Sequence, residues 1–421
     1  VTVGSEKRAM ASGANRELSE QEAGERAFSD DRERAAALLL MLSRVEFTVE
    51  EAVRVRNECA SYAGWKLFTD LAVRHGVAAL VWQNICDLSL EGHVPDPERI
   101  ILEGLRFKSI ARVAYITNAA SEAVDVLERN GIRVVLLKGL ALEHTVYGSR
   151  GLRQMSDADI LVSPGDALKA MDILTGAGFE SMPMKSGLYR HIILDLGNHL
   201  PEMHRGGISV DLHYRLFGPE GGEMVSRAIS EAEEISAGGK RFHVLPPVTS
   251  FLGLVSHIYK HEVKGEFQLR LYTDIYLLLK KHGSAIINPQ LMAAADQACI
   301  KAEVRVVLTV MKQAWGLELP GEMEARTVEE QKMAGRFMHD LTFPGMITPE
   351  SQREMFTRNL HTMKGLRKKL IFVAGDLFPS VDFLKRRYGC RSTLSALMHY
   401  PHRLGKLIWI FSPERGKIRD K

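Results

Sequence analysis

The segment IRVVLLKGLALEHTVYGSRGLRQMSDADILV, residues 132–162, is where the hydrophobic period of this chain changes. From Glu17 to Asn130 apolar residues recur at three- and four-residue spacing, which predicts helices throughout. "IRVVLLKG" is instead short and β-branched, a buried strand running into Lys138 and Gly139. "LALEHTVYG" then reads as a short helix and "ADILV" as a second strand. The fold class that follows is α+β: a mixed-sheet core embedded between mainly helical N- and C-terminal regions.

Upstream, Thr48 followed three residues later by Glu51 in "FTVEEAVRVRNECA" makes a capping box, and the stretch from Pro97 to Asn130 reads as one long amphipathic helix ending at Gly131. Downstream, Ser163 and Pro164 are placed to cap and open the helix "GDALKAMDILTGAG". "FESMPM", "RHIILDL", "HLPEMHR" and "ISVDLHYRL" alternate as strands do, with "RGG" turning a hairpin between the last two, and "EEISAGGKRFHVLPP" suits a further hairpin. Beyond Pro247 helical spacing returns in "SFLGLVSHIYKHEV" and "FQLRLYTDIYLLLKKHG", a pair of helices, and "FPGMITPES" at 343–351 suits a hinge. The predicted divisions are a disordered 1–16, a helical 17–130, an α+β core at 131–246, a helical domain at 247–342 and a basic helical 343–421.

A net charge of +3 does not mark a dedicated nucleic-acid binder. Cys59, Cys86, Cys299 and Cys390 are far apart and form no C-x-x-C pair, so neither a zinc site nor a secreted disulfide scaffold is expected, and a cytoplasmic setting fits. The longest early apolar run, "AAALLLMLS" from Ala35 to Ser43, is too short to span a bilayer, and no transmembrane segment is expected. "LIWIF", flanked by Lys406, Arg415, Lys417 and Arg419, admits peripheral contact with a membrane surface or nucleic acid. Docking of Trp409 and Phe411 onto the core is the commoner use of such a helix end.

In a strand Asp157 and Asp159 point to one face, roughly 7 Å apart. Alone, the pair suits a capped turn after Ser156 as well as a cation clamp. Three features favour the cation. Lys138-Gly139 opens a helix whose N-terminus can receive phosphate. In "ISVDLHYRL", Asp211 and His213 share a strand face and offer a third carboxylate. Arg150 and Arg153 flank the turn before the pair, and arginine matches phosphate geometry. Magnesium or manganese bound by Asp157, Asp159 and Asp211, together with a nucleotide's phosphates, is the chemistry this pattern suits. His213 and His204 suit a hydrogen-bonding role beside the carboxylates, with ligation as the alternative. Glu202 suits a solvated strand face. His257 and His261, four apart on a helix, read as packing or polar contacts, with Asp274 as a partner. Arg270 suits either a nucleotide contact or a surface ion pair.

These residues resemble a known family. "LLKGLALEHTVYGSRGLRQMSDADILV" looks like the strand, glycine-helix and D-x-D strand of the polymerase-beta-like nucleotidyltransferase superfamily. More narrowly it resembles the bacterial uncharacterised nucleotidyltransferase family in Lys138-Gly139, Arg153, Met155-Ser156-Asp157 and Asp211-Leu212-His213. "SHIYKHEVKGEFQLRLYTDIYLLL", with His257, His261, Arg270 and Asp274, is similar to the family's following helical segment, and "LFPSVDFLKRRYG", 377–389, to its C-terminal part. One departure from the superfamily stands out: Leu140 follows Gly139 where active members usually carry serine.

The resemblance implies transfer of a nucleoside monophosphate from a nucleoside triphosphate to an acceptor by two-metal phosphoryl chemistry. Asp157, Asp159 and Asp211 would hold magnesium or manganese, and Lys138, Gly139, Arg150, Arg153 and Ser156 would hold the nucleotide. The acceptor stays open among a small molecule, sugar, peptide, protein and RNA, because a fold does not set its substrate. Two alternatives stand beside it: a degenerate binding module on the same fold, suggested by Leu140, and a metal-dependent glycosyltransferase.

Overall fold

The computed structural model describes residues 30–217, 222–345, 352–401 and 403. Among the described residues five α-helices precede the sheet: α1 (30–42), α2 (Val49–Ser61), α3 (Trp65–Arg74), α4 (Ala78–Asp87) and α5 (Asp96–Arg129). The capping box forms at α2, where the Thr48 hydroxyl accepts from the Glu51 N–H at 3.2 Å and the Glu51 carboxylate accepts from the Thr48 N–H at 2.8 Å. The 34 residues of α5 make a rod about 51 Å long. Gly131, at φ +75°, turns the chain beyond it.

The sheet region follows as β1 (Val135–Leu136), α6 (Lys138–Thr145), β2 (Asp157–Leu161), α7 (Ala167–Gly176), β3 (Glu180–Ser181), β4 (Met203–Arg205), β5 (Ile208–His213), α8 (Gly222–Ser230), β6 (Glu233–Ala237) and β7 (Lys240–Val244). The seven strands lie in the order β3-β4-β5-β2-β1-β7-β6, with β2 parallel to β5 and β1 antiparallel to β2 but parallel to β7. Gly206-Gly207 and Gly238-Gly239 turn the two hairpins, all four at positive φ, as a two-residue turn between right-twisted strands requires. Ala158, Ile160, Val210 and Leu212 are fully buried in the core that the sheet forms with α5 and α7. Alternation therefore turns Asp157, Asp159, Ser209, Asp211 and His213 to the opposite face.

Leu161 on that face shares a core with the helices that follow: α9 (Pro247–Val263), α10 (Leu269–Ile286), α11 (Leu291–Gln297), α12 (Lys301–Trp315), α13 (Val328–Gly335) and α14 (Phe337–Thr342). Leu39, Phe68 and Leu80 from before the sheet share one apolar core with Phe251, Ile275 and Leu308 from after it, and Leu137 and Leu161 bring the sheet into the same core. Four further helices, α15 (Gln352–Thr362), α16 (Leu366–Leu377), α17 (Val381–Tyr388) and α18 (Thr393–Leu397), complete the described chain. Phe356, Met363 and Phe372 pack there on Tyr189 and Ile192. Gly375 lets the Tyr189 ring approach, since a Cβ at that position would lie 2.3 Å from the ring.

Two local expectations are corrected. "RHIILDL" is not a strand: residues Gly187–His191 and Ile193–Asp195 form 3-10 turns, because Tyr189 and Ile192, three apart, face the C-terminal helices together. Helix α7 starts at Ala167, not at Pro164. Residues 163–166 form a separate turn in which the Asp166 N–H donates to the Ser163 carbonyl at 2.9 Å. Residues 1–16, residues 346–351 of the hinge segment, and the "LIWIF" stretch with Lys406, Trp409, Phe411, Arg415, Lys417 and Arg419 lie outside the described residues. Among the described residues no helix is long and apolar enough to cross a membrane.

Candidate active site

Parallel pairing of β2 with β5 sets Asp157 opposite Ser209, Asp159 opposite Asp211 and Leu161 opposite His213. One ladder thus brings together carboxylates that lie far apart in sequence. Asp159, Asp211 and His213 each offer a ligand atom, and these atoms all lie within 4.8 Å of one another. Asp157 stands one strand repeat away on the same face, half-buried and outside that close set. The tight group is therefore two aspartates and a histidine, whereas the sequence pointed to three aspartates with His213 behind them.

Asp159 is 8% exposed, and one of its oxygens, Oδ1, receives both Lys138 Nζ at 2.6 Å and His213 Nε2 at 2.7 Å. Burial alone would raise this carboxyl, but the Lys138 ammonium and the His213 hydrogen bond outweigh it and hold the group well below the usual range. Burial pushes the His213 imidazole down to about 4, so at neutral pH it is uncharged, and its Nε2–H tautomer donates to Asp159. Asp211 goes the other way, pushed up to about 6 by burial and then by the neighbouring Asp159 and Asp157, while the Ser209 hydroxyl donates to it at 3.0 Å. Asp157 is raised by burial and by Asp159. Converging oxygens that repel one another suit a hard divalent cation, and an imidazole beside them suits either ligation or the orienting of a ligand.

Lys138 reaches Asp159 from a left-handed backbone, φ +45°, at the first residue of α6. For a side chain with a Cβ this conformation costs about 1–3 kcal/mol and persists where its surroundings hold it. Gly139 follows for a steric reason: a Cβ there would lie 2.4 Å from the Arg153 guanidinium. Leu140 is 1% exposed and belongs to the core formed with α5, so its side chain faces away from the carboxylates.

Residues 61–316, more than half of the chain, match the family described as uncharacterised nucleotidyltransferase. The chain belongs to this family. No curated protein matches it. The matched span contains the whole sheet and α9 to α12, hence every residue of the carboxylate cluster in this nucleotidyltransferase-family protein.

The arginines and the outlying candidates are placed differently from the carboxylates. Arg153 is 5% exposed and forms a two-nitrogen ion pair with fully buried Asp274, at 2.7 Å from Nη2 and 3.1–3.2 Å from Nε, while the Tyr147 hydroxyl donates to the same carboxylate at 2.8 Å. Asp274, expected as a partner for the histidines, belongs to Arg153 instead. Buried Glu143 accepts from the Gly151 and Arg153 N–H groups and so fixes the loop between α6 and β2. Arg150 lies 3.6 Å from Asp87, half-exposed. Ser156 presents its carbonyl to Arg112 and exposes its side chain. Arg270 donates to the Gln154 carbonyl and to Gln268, and is not a surface ion pair. His204 and Glu202 lie 3.8 Å apart at the edge of β4.

A cavity of about 210 Å³ opens beside Lys138 and His213. Into it come residues that the reading of the sequence did not select: Asn198, His199 and Arg215 around β5, Lys260 on α9 and Lys264 at its C-terminal cap. His257 and His261, expected as packing or polar contacts, line it too. His199 arrives through an isolated bridge to His213, a pairing with no local signal. The α9 residues did have one, a polar stripe at three- and four-residue spacing on an otherwise apolar helix.

Proposed function

We propose that this protein transfers a nucleoside monophosphate from a nucleoside triphosphate to a hydroxyl or phosphate acceptor. The observation that carries the proposal is the β2–β5 ladder, which aligns Asp157, Asp159 and Asp211 on one face beside Lys138 in a nucleotidyltransferase-family chain. Magnesium or manganese, held by Asp159 and Asp211 with Asp157 and His213 alongside, would supply charge neutralisation at the phosphates, two ions being the usual number for in-line displacement. The acceptor oxygen forms a bond to the α-phosphorus, the bond to the bridging oxygen of the β-phosphate breaks, and pyrophosphate leaves with that electron pair.

The chain's own residues have separate tasks in this proposal. Asp211, whose carboxyl is pushed up to about 6, takes the proton of the acceptor hydroxyl. His213 keeps Asp159 oriented through its hydrogen bond. Lys138 is within reach of both the carboxylates and the cavity, and steadies phosphate charge.

The test is incubation with magnesium or manganese and labelled nucleoside triphosphates, following pyrophosphate release and label transfer in the parent and in Asp157→Ala, Asp159→Ala. Release by the parent and none by the variant supports transfer. Nucleotide binding without release from any acceptor pool favours the binding module, whose support is Leu140 in place of the superfamily's serine. Sugar transfer from a nucleotide sugar would favour the glycosyltransferase.

A further inference from the structure

We infer that one face of α9 is the polyphosphate subsite of this protein, and that it recognises the triphosphate chain of the nucleotide. This rests on the transfer reading for the identity of the ligand, though not for the existence of an anion site. Ser250, Gly253, His257, Lys260 and Lys264 follow one another at three- and four-residue steps, with Leu254 and His261 beside them, so a single stripe running along α9 to its cap residue Lys264 faces the cavity. Lys138 and Arg215 face it from the sheet side. No carboxylate is among the lining residues. Those that touch the lining from outside are Asp159, on Lys138 and His213, and Glu266, on His261 at 2.7 Å. Lys260, Lys264 and Arg215 have no carboxylate partner among the described residues.

Basic residues near a helix C-terminus also complement the helix dipole, which accounts for Lys260 and Lys264 considered alone. It does not account for Lys138 and Arg215, which come from other elements and converge on the same space. Nor does it account for Gly253. Glycine inside a helix costs about 1 kcal/mol relative to alanine. A Cβ at Gly253 would meet nothing within 4 Å, so packing does not require the glycine. Its use is to leave the floor of the cavity open to a ligand.

A cavity of about 210 Å³ matches a short polyanion better than an extended nucleic-acid backbone. The two arginines expected to hold phosphate are engaged elsewhere, Arg153 with Asp274 and Arg150 beside Asp87. The phosphate-binding charge therefore falls to the α9 lysines, with Lys138 linking them to the carboxylates.

Isothermal titration of the full chain with sodium tripolyphosphate, ATP and AMP, in chelator and again with magnesium, tests this. The parent is expected to bind tripolyphosphate in chelator, and ATP at least about tenfold more tightly than AMP, a difference of 1.4 kcal/mol. Lys260→Met with Lys264→Met should weaken tripolyphosphate and ATP at least about tenfold and leave AMP unchanged. Gly253→Leu should weaken tripolyphosphate while the melting temperature does not fall, since leucine is a better helix former than glycine. Equal binding by parent and lysine variant overturns the inference, as does a single-stranded RNA that depends on these lysines when tripolyphosphate does not. Lysine-dependent tripolyphosphate binding in a protein that never releases pyrophosphate leaves the subsite standing and removes only the transfer reading.

Discussion

Asp159 takes both Lys138 and His213 on a single oxygen, which leaves its second oxygen clear of that pair, with an Asp211 carboxylate oxygen within 4.8 Å of the group. If His213 orients this group, His213→Ala should lower manganese affinity about 10–100-fold with the fold intact. Titration followed by paramagnetic resonance measures this, and unchanged affinity would assign the imidazole to packing alone. Leu140 presents a different case at the same scale. Its side chain is core, so Leu140→Ser removes buried apolar volume and buries a hydroxyl. The expected result is a loss of about 2–5 kcal/mol in urea unfolding with no gain in pyrophosphate release. Of the candidate site, the aspartates and Lys138 were legible from residue type and spacing. His199 and Arg215 were not, and the α9 stripe was visible only as a polar spacing, because nothing local to a side chain says which cavity it will line.

Among the elements, strands and hairpins were read well, because alternation and glycine pairs are properties of a few adjacent residues. The segment "RHIILDL", 190–196, was not, since its apolar residues satisfy either a strand or 3-10 turns until the C-terminal helices select the turns. The loop between α6 and β2 is held to α10 by Arg153, Asp274 and Tyr147. Asp274→Ala would leave the Arg153 guanidinium buried without its partner. A loss of about 3–5 kcal/mol in chemical unfolding is expected. Gly139→Ala should act on the same pair from the other side, its new methyl displacing the guanidinium from Asp274. A double-mutant cycle checks this: the two losses should be less than additive, and full additivity would show that Gly139 serves something other than Arg153.

Across the whole molecule, His75 ties helices from both sides of the sheet together. The Leu269 N–H donates to its Nδ1 at 3.4 Å, so its Nε2–H donates to the Leu341 carbonyl at 2.9 Å, and the ring is fully buried. Burial pushes it down to about 4, well below the usual 6.5. The unfolded chain takes up that proton first, so the stabilisation is complete above about pH 6.5 and is lost as pH falls toward 4. Unfolding at pH 7.5 and pH 5 should show lower stability at pH 5. His75→Gln should make the difference smaller, and an equal difference in that variant would place the acid sensitivity elsewhere.

Period and capping chemistry specify the α+β class, the alternation that turns Asp157 and Asp159 to one face, and the glycine hairpins, because each depends only on neighbours along the chain. Tertiary packing selected what those residues meet: Asp159 beside Asp211, Arg153 against Asp274, and the α9 stripe across from Lys138. Such pairings depend on strand register and on which charges are buried together, and the free energy of burying a charge is set by a partner that lies far away in sequence.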